Sequence, residues 1–195
     1  MAESIFGKLE SEAFRAGIPA RTEESRRWFM NKLKELGSVN RHDLLKDDLV
    51  SSRQRFGIGN MYMFFYDPKH RATLPYYDAF PLIVAVKPAP GGFYGLNLHY
   101  LPPALRAKML DALLETKTNK QYNDSTKFAA TYKMLQNTSR LRYYKPCFKH
   151  YLSKHIDSKI ALVHSPEWEI ATFMPSEQFR KANARRVWRD SRKMI

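Results

Sequence analysis

The sequence predicts an α+β fold, a small SH3-like, partly closed antiparallel barrel with a helical insertion and helices at both ends. Three observations predict it. Short aromatic and apolar runs at 60–66, 80–87 and 93–100 are bounded by turn residues, which is the pattern of a meander. Apolar residues recur at helical spacing near the start, between 102 and 156, and at the end. Two more strand-like runs, 159–164 and 168–173, follow the insertion. Five short strands in one sheet must curl or be covered to protect their edges, which favours partial closure.

The 195 residues are 44% hydrophobic and 13% aromatic, the composition of a chain that folds around a core. Residues 1–20 read as an N-terminal arm and 21–195 as one α+β domain. A helix is expected over 23–36: Thr22 is placed to cap it, Glu23 and Glu24 fall in its first turn, and Gly37 stands just past its end. Phe29, Leu33 and Leu36 give it one apolar face. Residues 40–58 are polar, with a single helical turn expected at 43–49. The three strands of the meander follow.

Pro102 and Pro103 then open a helix with Leu105, Met109 and Leu113 on its stripe. A second helix is expected over 125–137, with Phe128, Tyr132 and Leu135, and a third over 146–155, with Phe148, Tyr151 and Leu152. The last helix is expected from 177 to about 193, with Ser176 as its cap.

No run approaches the roughly 18 to 20 apolar residues that cross a bilayer, so no membrane is expected as a partner. The start, MAESIFGKLESEAF, has no basic segment followed by an apolar stretch, so no secretory leader is expected. The single cysteine, Cys147, cannot form an internal disulfide.

The formal net charge of +14 is the strongest bulk signal and calls for a polyanion or an acidic protein as partner. It is concentrated in 103–165, where 12 basic residues face 4 acidic ones. Lys133, Arg140, Arg142, Lys145, Lys149 and Lys154 are interleaved with Tyr132, Tyr143, Tyr144 and Tyr151, and no acid occurs from Ser125 to Ile156. Cations that neutralise phosphates beside rings that stack bases make a nucleic-acid groove; the same charge equally suits an acidic protein neighbour. Arg185, Arg189 and Arg192 share a helical face in the tail, flanked by Arg186. Trp28, Tyr76, Tyr77 and Trp188 are the expected interface aromatics.

The motifs of common catalysts are missing: there is no G-x-S-x-G, no phosphate loop, and no G-x-G-x-x-G beyond Gly57-Ile-Gly59. His150 and His155 lie five apart, on different faces of a helix, so neither a metal nor a cofactor is expected. Asp78 and His99 could join a carboxylate to an imidazole across neighbouring strands. The plainer reading has Asp78 accepting backbone hydrogen bonds in a turn and His99 satisfied in a strand, with no third group to orient a reaction. No catalytic residue is expected.

Three segments carry a family resemblance: Gly59-Asn-Met-Tyr-Met-Phe-Phe-Tyr-Asp-Pro-Lys69, Leu74-Pro-Tyr-Tyr-Asp-Ala-Phe-Pro-Leu82, and Gly92-Phe-Tyr-Gly-Leu-Asn-Leu-His-Tyr-Leu-Pro-Pro-Ala-Leu-Arg106. With the ending, Phe179-Arg-Lys-Ala-Asn183 and Ser191-Arg-Lys-Met-Ile195, they resemble minor virion proteins of large contractile-tailed bacteriophages, the myoviruses. The resemblance implies a non-enzymatic structural protein, made in the host cytoplasm and carried in the virion. Its expected partners are other virion proteins, in a multimeric assembly, and double-stranded DNA. The first expectation is a tail or baseplate component. The alternative is a DNA-binding protein at the packaged end, resembling a DNA end protector, or at the head–tail neck. A hydrolase or nuclease using Asp78 and His99 is the distant third.

Overall fold

The computed structural model describes residues 5–37, 40–46 and 56–193. Helices α1 (Ile5–Arg15), α2 (Glu23–Glu35) and α3 (Arg41–Lys46) precede strand β1 (Met61–Met63), the short β2 (Tyr77–Asp78), β3 (Leu82–Ala89) and β4 (Gly92–Asn97). Helices α4 (Pro103–Thr118) and α5 (Asp124–Arg140) follow, then β5 (Phe148–Leu152), β6 (Ala161–Val163), α6 (Trp168–Phe173), β7 (Phe179–Arg180) and α7 (Ala184–Lys193).

Five strands form one antiparallel sheet in the order β5-β4-β3-β1-β6, and β2 pairs with β7 in a small ribbon. The sheet is open, with β5 and β6 at its edges, so the expected barrel does not close. Helices take over the covering role: one sheet face carries Met61, Met63, Leu82, Val84 and Leu96 into a core shared with Phe6 and Leu9 of α1, Leu33 of α2, Leu110 of α4 and Trp168 of α6. Alternation along the strands sends Tyr62, Ile83, Phe93, Tyr151 and Leu162 to the other face, where Phe56 stacks on Phe93 with ring centres 3.6 Å apart.

The helix expected at 23–36 is α2. The Thr22 hydroxyl accepts from Ser25 N, and Ser25 Oγ accepts from Thr22 N, a reciprocal cap; Gly37 has φ +72. The segment expected as an arm is helical over Ile5–Arg15 and buries Phe6, Leu9 and Ala13 in the main core. The turn expected at 43–49 is helical over Arg41–Lys46; 47–49 lies outside the described residues.

Three expected elements differ. Residues expected as a helix over 146–155 form a 3-10 turn (Arg142–Cys147) and then β5. Glycines on β4 make the difference, because they let β5 approach: a Cβ on Gly92 would lie 1.8 Å from the Tyr151 carbonyl oxygen. The run expected as a strand over 168–173 is α6. A 3-10 turn, Ser165–Glu167, starts it, and the Glu167 side chain accepts from His164 N. The last helix begins at Ala184, not 177, because Asn183 supplies its side chain to Arg186 N while Phe179–Arg180 pairs with β2.

Candidate nucleic-acid interface

The acid-free stretch runs along α5, through the Arg142–Cys147 turn and into β5. Lys133, Arg140, Arg142, Lys145 and Lys154 are exposed, whereas Lys149 is half-buried. On α7, Val187 and Ser191 face inward, and Arg185, Arg186, Arg189 and Arg192 are exposed. Packing brings these segments together: α7 lies against the 142–147 turn, which itself lies against α5. Two basic groups far apart in sequence thus occupy adjoining elements. Asp190 pairs with Arg186 and Arg189 at 3.6 Å each; among the described residues, no carboxylate pairs with Arg140, Arg142 or Lys145. Of the interleaved rings, Tyr132 and Tyr143 are exposed, Tyr144 is half-buried and Tyr151 is buried. Tyr132 stacks on Phe128 along α5, the rings only 6° from parallel.

A buried polar knot lies behind α7, whose Trp188 donates to the His99 carbonyl. Asp78 Oδ2 lies 2.6 Å from His99 Nδ1 and accepts from Asn97 Nδ2 at 3.1 Å; Asp78 Oδ1 accepts from the backbone N–H groups of Phe80 and Gln178. Burial alone would raise the Asp78 carboxyl, but His99, the Asn97 amide and the Gln178 N–H outweigh it and hold it below the ordinary carboxylate range. Asp78 does accept backbone hydrogen bonds, though from within β2 and not from a turn, and His99 has hydrogen-bond partners but lies in the 3-10 turn Leu98–Tyr100 that follows β4, not in the expected strand.

A third group exists as well. His99 Nε2 lies 3.2 Å from Ser176 Oγ, so carboxylate, imidazole and hydroxyl form a chain that sequence reasoning missed. Ser176 and His99 are both 0% exposed, which leaves no path for a substrate to reach the hydroxyl. The chain of bonds ties β2, the end of β4 and the segment before β7. Arg106 joins the knot from α4, donating to the carbonyls of Leu101 and His99 at 2.7 and 3.1 Å.

The four expected interface aromatics divide among three places. Trp28 is half-buried on α2, edge-on to Phe29; Trp188 is half-buried on α7, where its indole N–H donates to the His99 carbonyl at 2.9 Å. Tyr76 and Tyr77 line a cavity of about 400 Å³, together with Tyr100, Lys149 and Tyr151. Burial pushes the Cys147 thiol up to about 12, which leaves it protonated and unreactive. Among the described residues, no group of three or more His, Cys, Asp or Glu side chains could hold a metal ion, and no helix is long and apolar enough to cross a membrane.

A family model described as "Phage T4 terminal DNA protecting protein" matches residues 5–191, which include every described element but the last two residues of α7. The chain belongs to that family. Comparison with curated proteins returns no match, and comparison with solved structures returns none. The matched span takes in α5, β5 and most of α7.

Proposed function

We propose that this chain is a non-enzymatic bacteriophage protein that holds and shields the ends of double-stranded DNA in the virion. The family match favours this reading, the alternative expectation from the sequence, over the first expectation of a tail or baseplate component. The observation that carries it physically is the junction of α5, the 142–147 turn and α7, which packs the segments bearing Arg140, Arg142 and Lys145, paired with no carboxylate among the described residues, against the tail helix with its arginines. Guanidinium forks suit phosphate oxygens, and rigid placement on packed elements lowers the ordering cost of binding.

Each neutralised phosphate adds about 0.9 to the slope of log affinity against log salt. Titrating a labelled linear duplex at graded salt tests the reading. Wild type binds more weakly as salt rises, and the Arg140→Ala, Arg142→Ala, Lys145→Ala triple variant shows a slope smaller by about 2 to 3. Binding that ignores salt removes this function. Contacts with other virion proteins belong to the same proposal, with half-buried Trp28 on α2 as their anchor.

A further inference from the structure

The cavity beside the knot has features that the basic surface does not explain. Its volume, about 400 Å³, falls in the range of about 300 to 1,000 Å³ typical of small-molecule sites. Tyrosines supply most of its rings: Tyr66, Tyr76, Tyr77, Tyr100 and Tyr151. The Lys149 ammonium sits over the Tyr100 ring, 4.2 Å from its centre, and pairs with no carboxylate among the described residues. Burial holds that ammonium below its ordinary pKa range, so an anion arriving there relieves a real desolvation cost. Lys69 and His70 are exposed where they line the same cavity.

Asp78 also borders the cavity, yet its two oxygens already accept four hydrogen bonds from the protein. It is therefore a structural group and not a base waiting for a substrate. The segment that bounds the cavity on another side is fastened: Lys181 Nζ donates to the carbonyls of Arg71, Ala72 and Leu74 at 2.6, 2.9 and 3.0 Å. The cavity is thus formed before any ligand arrives.

We propose that this cavity seats the unstacked terminal nucleotide of a DNA end, its base against Tyr76 and Tyr77 and its phosphate on Lys149. The inference rests on the DNA-end reading above. Aromatic faces take any base, because every base has a π-face, and a lysine ammonium takes phosphate as a point charge. A base at a duplex end has one stacking neighbour instead of two, so extruding it costs less than flipping an interior base. Such a pocket distinguishes an end from continuous duplex, which a basic surface alone does not.

The test uses the full chain and two duplexes of equal sequence, one linear and one closed at both ends by hairpin loops. Tyr76→Ala lowers the preference for the linear form about tenfold and leaves binding to the closed form unchanged, and Lys149→Gln lowers the same preference. Photocrosslinking from a terminal 5-iododeoxyuridine locates the contact without any substitution, and the crosslinked peptides contain Tyr76 or Tyr77. Crosslinks confined to other peptides, or variants that keep the full preference, overturn the pocket and leave end binding standing. Wild type that binds both duplexes alike overturns both. Thymidine 5′-monophosphate binding more tightly than the DNA end assigns the cavity to a free nucleotide and also defeats the proposal.

Discussion

Trp188 and Arg106 share one acceptor: the His99 carbonyl receives the indole N–H at 2.9 Å and a guanidinium N–H at 3.1 Å. The guanidinium carbon lies 5.4 Å from the centre of the indole ring. Through this contact the basic tail helix is fixed to the turn that follows β4, and the exposed arginines of α7 inherit a defined position.

Removing the indole tests that fixation. Trp188→Ala costs about 2 to 3 kcal/mol, below the usual range for a fully buried tryptophan because the side chain is half-exposed. Trp188→Phe keeps the ring and loses the hydrogen bond, costing about 1 kcal/mol. Urea unfolding of both variants measures the difference, and equal stability of the two would show that the shared carbonyl contributes nothing.

The Asp78–His99 contact makes stability depend on acid. The folded-state pKa of Asp78 is depressed, so its contribution is fully present above its unfolded value of about 3.9 and is lost as pH falls through the folded value. Wild type therefore loses stability over that acidic window, and Asp78→Asn, already weaker near neutrality, loses less. Chemical unfolding at graded pH gives both curves; parallel curves would mean that the carboxylate adds no linkage.

Close approach of β4 and β5 yields a third prediction. Gly92→Ala forces a methyl into the Tyr151 carbonyl and destabilises the protein by about 2 kcal/mol or more. Hydrogen exchange then rises first at 148–152. Unchanged protection there would contradict the observed register.

The limits of reading the sequence follow the range of the forces involved. Local chemistry was legible: Thr22, Glu23, Glu24 and Gly37 mark α2, and turn residues around 60–100 mark three strands of the sheet. Phe148, Tyr151 and Leu152 have helical spacing, and only the glycine-lined edge of β4 makes them a strand. Ile170, Thr172 and Phe173 suit a strand by composition, although Pro166 and Glu167 just before them carry a helix-start signal.

The same contrast holds for the site. Charge and rings located α5, the 142–147 turn and α7, but their junction is tertiary. Asp78 and His99, expected on neighbouring strands, meet instead between β2 and the 3-10 turn after β4, while Ser176 is 77 residues from His99 and Arg106 has no local pattern that predicts burial. The cavity beside Lys149 likewise depends on the loop held by Lys181.

Shielding of a DNA end is the claim on which the account stands, and an exonuclease challenge measures it directly. A linear duplex labelled at its terminal nucleotide is saturated with the protein at low salt and exposed to the nuclease. The account predicts that the label is retained, that it is released when salt is raised, and that the Arg140, Arg142, Lys145 triple alanine variant retains much less. Release of the label at the rate of naked DNA, with protein demonstrably bound, would contradict it.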